Sequence, residues 1–416
     1  MRVVHVSTSD LAGGAARGTY RLHRALVESG VDSRLIVSQK RSDDPTVSEA
    51  FPPKFSTVRR LLRERLDRLP LAFYPRRVAT DFSVNWARNG VWRAVAAARP
   101  DVVHLHWINH GFFPLAHLRK LRAPLVWSLF DLWPFTGGCH YSGDCRGYER
   151  ACGACPQLGS TRARDLSARI LRAKRRAWSG LRPELVCFSR QTEAQTRASS
   201  LFANLSLAVI PPPVDTRVYR PIPVAEARRL LGLDPAALIV MMGATQLGQP
   251  RKGADLALAA LASLERTGPL AQLTLCTFGG SPPDAPDHAG AIPVKHLGPL
   301  HDDLTVALAY SAADAVLVPS REDTGPLVAV EALACGAPVI GFPVGLLADL
   351  VRHGHTGFLA PPFEPAGLAA GVRWAAEHRG DPGVRTAARD VAVRLADARA
   401  QVPRYLEIYA RARGTP

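Results

Sequence analysis

No stretch of this 416-residue chain reaches the ~18–20 consecutive apolar residues that a membrane span requires, and the opening MRVVHVSTSD reads as a first strand, not a secretory signal. These two absences lead to the expectation of a cytosolic protein. Internal repeats and low-complexity tracts are also missing, and 47% hydrophobic residues leave no sign of disorder. No nucleic-acid motif and no interleaving of aromatic and basic residues accompanies the basic charge, so nucleic acid is not an expected partner. Seven cysteines in a reducing compartment are expected to remain thiols or metal ligands. What is present is length enough for two domains, each with its own core.

The net charge of +16 belongs to one half of the chain. Residues 1–210 hold 33 Lys and Arg against 16 Asp and Glu, whereas residues 211–416 hold 19 against 20. A lobe of that sign suits an anionic surface, such as phospholipid headgroups or a polyprenyl-diphosphate carrier. Its clearest segment is VRRLLRERLDRLP, where Val58, Leu61, Leu62, Leu66 and Leu69 form one helical face and Arg59, Arg60, Arg63 and Arg68 occupy the others. An interfacial helix has this pattern, and so does an ordinary surface helix packed on its own domain.

Apolar runs ended by Gly, Pro or polar loops place strands over 3–6, 33–37, 101–107, 124–128, 185–188 and 207–210, with helices over 19–29 and 165–178. The loop SDLAGGAARG after the first strand carries Gly13 and Gly14 but lacks dinucleotide-fingerprint spacing. Pro211, Pro212 and Pro213 make a stiff connector, taken as the domain boundary. The second half restarts with a helix over 224–231, a strand over 238–242, the loop GATQLGQPRKG, a helix over 254–264 and a strand over 272–278. A last helix is expected over 391–413. Strands alternating with helices in this way predict two doubly wound α/β sheets.

The most informative segment is VLVPSREDTGPLVAVEALACGAPVIGF, residues 316–342: a buried strand, a polar loop, a helix start and a second buried strand. Asp323 falls on the loop at a strand's carboxyl end, where open α/β sheets bind ligands, and Glu331 falls eight residues later on the helix that follows. Backbone N–H groups at that helix start suit a phosphate. An acid, seven residues, Glu, an Ala/Gly-rich turn and a Pro-Val-Ile strand resembles the donor-site signature of family 4 retaining glycosyltransferases. The resemblance implies a GT-B fold: two Rossmann-like lobes with an interdomain cleft and a C-terminal helix crossing back. It implies an acceptor-binding lobe over 1–210, with a Cys-rich loop at 136–160, a donor lobe over 211–390, and the crossing helix within 391–416. Glu322 precedes Asp323, so either acid is a candidate for the inward-facing one.

A departing nucleoside diphosphate needs fixed cations, and Arg251 and Lys252, between a strand-ending loop and Gly253, supply a pair. The resemblance gives them the grip on the diphosphate, gives Glu331 the ribose hydroxyls, and gives Asp323 with the N–H groups of Gly325 and Leu327 the transferred sugar. Gly13 and Gly14 match the family's glycine loop beside the cleft. In relatives a His-Asp pair ends the strand that here ends Phe130-Asp131, so Asp131 and His106 are the remaining candidates for the missing role. His104 and His106 are expected on opposite sides of their strand, with His106 toward the cleft.

Cys139, Cys145, Cys152 and Cys155 fall within seventeen residues, enough to enclose one structural zinc; four reduced thiols or two disulfides are the alternatives. The phrases TGGCHY and CGACPQL recur in a bacterial polysaccharide-biosynthesis subgroup of the resembling family. The function implied is retaining transfer of a sugar from a nucleotide-diphosphate sugar to an acceptor hydroxyl. The acceptor expected is a lipid-linked saccharide in surface polysaccharide synthesis, at the cytoplasmic, inner face of a membrane. No metal or other cofactor is expected to be needed for the chemistry. The alternatives are a natural-product glycosyltransferase or nucleotide-sugar epimerase of the same fold, and a non-catalytic sugar-nucleotide-binding protein.

Overall fold

The computed structural model describes residues 1–51, 56–244, 248–268, 270–280 and 288–414. Thr245, Gln246 and Leu247 of the expected phosphate-side loop lie outside the described residues, as does the side chain of Arg59. The chain divides into one compact unit of Met1–Ile210 with Val402–Pro416 and a second of Pro211–Gln401.

The first unit is a seven-stranded sheet. Its strands are β1 (Arg2–Ser9), β2 (Asp32–Gln39), β3 (Val47–Glu49), β4 (Val102–Leu105), β5 (Leu125–Ser128), β6 (Glu184–Cys187) and β7 (Leu207–Val209), in the order β3-β2-β1-β4-β5-β6-β7. All six pairings are parallel. Strands covered on both faces read as near-continuous apolar runs, which is why β1, β4 and β5 were legible. Its helices are α1 (Gly14–Glu28), α2 (Ser56–Arg68), α3 (Val91–Ala97), α4 (Leu166–Ala177) and α5 (Arg190–Ala198). The helix expected over 19–29 begins five residues earlier, because Gly13, at φ 87°, serves as its N-cap.

The second unit repeats the plan with β8 (Leu238–Ala244), β9 (Leu273–Gly279), β10 (His288–Ala289), β11 (Ile292–His296), β12 (Ala315–Val318), β13 (Val339–Gly341) and β14 (Gly357–Leu359), ordered β10-β11-β9-β8-β12-β13-β14. Among the described residues, only the β10–β11 edge pair is antiparallel. The helices are α6 (Val224–Leu230), α7 (Ala254–Thr267), α8 (Asp303–Ala312), α9 (Leu327–Ala334), α10 (Leu347–Leu350), α11 (Pro365–Glu377) and α12 (Pro382–Ala396), while α13 (Ala398–Ala412) belongs from Val402 onward to the first unit. The order reverses between β1 and β4 in one sheet and between β8 and β12 in the other, and ligands of doubly wound sheets bind outside the carboxyl ends at such switch points. The α/β fold of two Rossmann-like lobes is thus realised.

The tail expected as one helix is two. Asp397 interrupts it: its carboxylate accepts from the N–H groups of Arg399 and Ala400 at 3.1 and 3.0 Å, capping α13. Residues 396 and 398 meanwhile bond to Val214 at 2.9 Å each. One further expectation is corrected. His104 and His106 share one face, with ring centroids 4.1 Å apart, because strand residues two apart lie on the same side. In α2, Arg63 and Asp67 turn inward, while Arg65 and Arg68 stay exposed. The Arg63 guanidinium donates to Ser38 Oγ at 2.5 Å and lies 4.8 Å over the Phe51 ring, and Asp67, 2% exposed, accepts from Val84 and Asn85 N–H groups. Val58, Leu61, Leu62 and Leu69 are exposed, as is Phe73 just beyond the helix at 85%.

Candidate active site

At the β8/β12 switch point two loops meet. Pro250–Lys252 form a single 3-10 turn, ended by Gly253 at φ 70°, and a Cβ on Gly253 would stand 2.0 Å from the Pro319 carbonyl oxygen. Only glycine allows the turn to sit that close to the loop after β12. Arg321 staples the loops further: its N–H donates to Arg251 O at 2.8 Å, and its guanidinium makes a bidentate pair with Asp255 at 2.7 and 2.6 Å. Arg321 lies in the segment 316–342, but its pairing with Asp255, a residue outside that segment, was not read from the sequence.

The turn delivers Arg251 and Lys252 to Asp323. Lys252 Nζ is 2.6 Å and Arg251 Nη1 3.6 Å from Asp323 Oδ2, and the Asp323 side chain is 9% exposed. Burial works to raise the Asp323 carboxyl, but Lys252 and Arg251 outweigh it and hold the group below its ordinary value. Burial lowers the Lys252 ammonium, opposed by Asp323. Asp323 thus lies against both cations. A small pocket opens beside them, lined by Gly243, Lys252, Pro319, Ser320, Pro326 and Val328 among others.

Glu331 lies on α9, 5% exposed, and its Oε2 accepts from the Tyr310 hydroxyl at 3.1 Å. Burial, with Glu331 beside it, pushes the Tyr310 phenol well above its usual value. Pro326 precedes α9 and no side chain caps that helix, which starts at Leu327. The Gly325 N–H, expected to face the sugar, donates instead to Asp323 Oδ1 at 3.3 Å.

In the first unit Gly13 and Gly14 open α1, and a Cβ on Gly13 would meet nothing within 4 Å. The preceding loop is clamped by Asp10, fully buried, whose carboxylate accepts from the N–H groups of Leu11, Arg41 and Ser42 at 2.9 Å each. Asp131 is held rather than poised. Oδ2 accepts from Trp107 Nε1 at 2.6 Å and is 2.6 Å from His140 Nδ1, while Oδ1 accepts from the Trp133 N–H at 2.9 Å. His140 Nε2 reaches Ser83 Oγ at 2.9 Å. His140 was missed by sequence reasoning, though its place in GCHY was the available signal. Phe130 packs on Phe188 and His106, with centroids 4.5 and 5.9 Å away.

His106 is 3% exposed and sits among histidines, its Nε2 2.8 Å from His5 Nδ1. Burial lowers His5, His104 and His106, His104 to about 3, so all three rings are neutral. The four loop cysteines are thiols, and burial pushes Cys152 up to about 11. Among the described residues, the one set of three or more His, Cys, Asp or Glu with ligand atoms all within 4.8 Å of one another is His5, His104 and His106. Among the described residues, no three sulfurs of Cys139, Cys145, Cys152 and Cys155 lie within 4.8 Å of one another, although Cys145 Sγ and Cys152 Sγ both border Gly147 and Cys139 packs against the apolar cluster that holds Cys155.

Two doubly wound, Rossmann-like sheets, each with its own switch point, form the GT-B fold. Residues 12–218 match the family model described as Glycosyltransferase Family 4, and residues 236–378 the one described as Glycosyl transferases group 1. The chain is a glycosyltransferase that carries these two domains. It is 27% identical over 397 residues to D-inositol 3-phosphate glycosyltransferase of Acidothermus cellulolyticus, covering 89% of this chain and 81% of that protein. It is 31% identical to the Mycolicibacterium gilvum protein of the same name over 66% of this chain and 59% of that one. Among solved structures, sucrose-phosphate synthase from Thermosynechococcus elongatus superposes with TM-score 0.67 at 21% identity over 99% of both chains. Anabaena HepE in complex with UDP-glucose gives 0.66 at 18% identity over 98% of this chain and 99% of that one. At these identities the two structures attest the fold.

Proposed function

We propose that this glycosyltransferase moves a sugar, with retention, from a nucleoside-diphosphate sugar to an acceptor hydroxyl. The observation that carries the reading is the convergence of Arg251 and Lys252 on buried Asp323 beside a pocket at the β8/β12 switch point. Two cations held against one carboxylate leave net positive charge there, and the diphosphate of the leaving group supplies the matching anion. Asp323 keeps the pair in place before the donor arrives and then meets the transferred sugar's hydroxyls. Glu331, oriented by Tyr310, accepts from the ribose hydroxyls. In a retaining transfer the acceptor approaches on the leaving-group face, so the departing phosphate takes the acceptor's proton. A panel of nucleotide sugars tests this: at least one should raise the unfolding temperature and be slowly hydrolysed, and a panel without any stabilising member would reject the donor site.

For the acceptor, the outward-turned apolar side of α2, set in a basic unit, favours a lipid-linked saccharide presented at an anionic membrane surface in surface polysaccharide synthesis. The relatives named for D-inositol 3-phosphate supply the rival, a soluble polyol phosphate.

A further inference from the structure

Three imidazoles meet inside the first unit at its own switch point. His5 of β1 stands opposite His104 of β4 in the parallel register, and His106 follows two residues on, pointing to the same face. Ring centroids lie 5.1 Å apart for His5 and His104, 5.1 Å for His5 and His106, and 4.1 Å for His104 and His106. His5 and His104 are completely buried.

The six ring nitrogens do not satisfy one another. His104 Nδ1 meets the Tyr409 hydroxyl at 2.8 Å and Nε2 meets Ser128 Oγ at 2.9 Å. His5 Nδ1 and His106 Nε2 share a single contact of 2.8 Å. His5 Nε2 and His106 Nδ1 are left buried without a hydrogen-bond partner. Buried polar groups are nearly always paired, and two orphaned atoms in one histidine cluster call for a partner of another kind.

We propose that His5, His104 and His106 form a binding site for a divalent transition-metal ion of the zinc type. Neutral imidazole nitrogens are its preferred ligands, and a nitrogen from each of the three rings lies within 4.8 Å of the others. Ligand nitrogens about 2.0–2.1 Å from a tetrahedral ion stand roughly 3.4 Å apart, so side-chain rotation on two already registered strands closes the site. His104 binds through one nitrogen and keeps Ser128 or Tyr409 on the other, the usual orienting arrangement for a ligating histidine. The Tyr409 hydroxyl or a water completes the set. The ion joins the middle of β1 to β4 and to the residue that follows β4, one step before the segment carrying Trp107 and Asn109. The site stands independently of the donor reading.

Protein purified without a polyhistidine tag and without added metal, then stripped with a chelator, is titrated with Zn²⁺ and Co²⁺. Wild type is expected to take up about one equivalent, with a rise in unfolding temperature. The Co²⁺ form is expected to show ligand-field bands without a thiolate-to-cobalt charge-transfer band. His104→Gln and His5→Gln should each weaken binding by at least ~10-fold, and Cys139→Ser with Cys152→Ser should leave it unchanged. Absence of stoichiometric binding by the wild type overturns the site and leaves a plain hydrogen-bonded core. A thiolate band in wild-type protein, or loss of the metal in the cysteine variant alone, also overturns it by moving the ion to the cysteine loop. Because the spectrum is read on the wild type, variants that fail to fold do not obscure the answer.

Discussion

Lys252 Nζ lies 2.6 Å from Asp323 Oδ2, joining two loops 71 residues apart in sequence. One residue comes from the turn after β8 and the other from the loop after β12, so the pair exists only because those strands are neighbours at the switch point. Lys252→Ala removes a charge placed for the leaving diphosphate, and Arg251→Ala does the same from the other side. Each is expected to lower turnover roughly 10²-fold or more with the fold retained, as read by steady-state rates and circular dichroism. Wild-type rates in both variants would remove the donor site.

The Glu331→Gln variant keeps shape and loses charge. If the carboxylate serves the ribose diol, a charge-assisted bond worth about 1.5–3 kcal/mol is weakened and nucleotide affinity falls by roughly tenfold or more. Calorimetry should show that fall while the unfolding temperature barely moves; equal affinities would reject the ribose role.

Gly253→Ala tests the loop packing without touching charge. The new Cβ meets the Pro319 carbonyl at 2.0 Å in a left-handed backbone, so the loops must part. A loss of more than about 1 kcal/mol of stability is expected, together with weaker donor binding because Lys252 moves with its turn. Urea unfolding and donor titration of one preparation check both.

Much of this was legible because buried parallel strands write themselves as apolar runs that Gly, Pro and polar loops punctuate. Asp323, Arg251 and Lys252 were singled out by position after such strands, and Glu331 and the roles of all four by the family resemblance. What one dimension did not show is which groups answer one another across loops. Asp323 meets both cations, Arg321 reaches Asp255, and Asp131 is already occupied by Trp107 and His140. The helical wheel of α2 was read correctly as two faces, but which of them turns inward depends on Ser38, Phe51 and the N–H groups of residues 84 and 85, none local to the helix.

Lys174 predicts a pH dependence. Its ammonium is fully buried, donates to the Trp133 and Thr136 carbonyls and lies 3.7 Å over the Trp133 ring, and burial lowers it from 10.5 to about 7. Between those values the unfolded chain holds the proton and the folded protein does not. Stability from this group therefore rises with pH across that window, by up to about 1.4 kcal/mol per unit, and its full penalty applies below the lower value. Since other groups titrate there, the readout is a difference: stability measured across the window should climb more steeply for wild type than for Lys174→Met. Parallel curves would mean that the amine stays charged in the fold.

The exposed side of α2 separates lipid-linked from soluble acceptors. Leu61 and Leu62 are 45% and 55% exposed, and Phe73 follows them in the next turn of chain, so these three present the apolar contact, while Arg65 and Arg68 stand exposed beside them. Arg63 is spent inward on Ser38 and adds nothing at a headgroup. Wild-type protein should co-float with anionic vesicles at low salt and be released by added salt, each exposed arginine near the surface contributing about 1 kcal/mol. Neutral vesicles should bind poorly, because so short an apolar face anchors only marginally. Changing Leu61, Leu62 and Phe73 together to Ser removes about 1.5–3 kcal/mol per fully buried side chain and should weaken vesicle binding by ~10²-fold or more, while turnover on a water-soluble acceptor analogue stays as it was. A wild-type protein that ignores anionic vesicles even at low salt would end the membrane role and turn the search to a polyol phosphate acceptor, with the donor site of the second unit untouched.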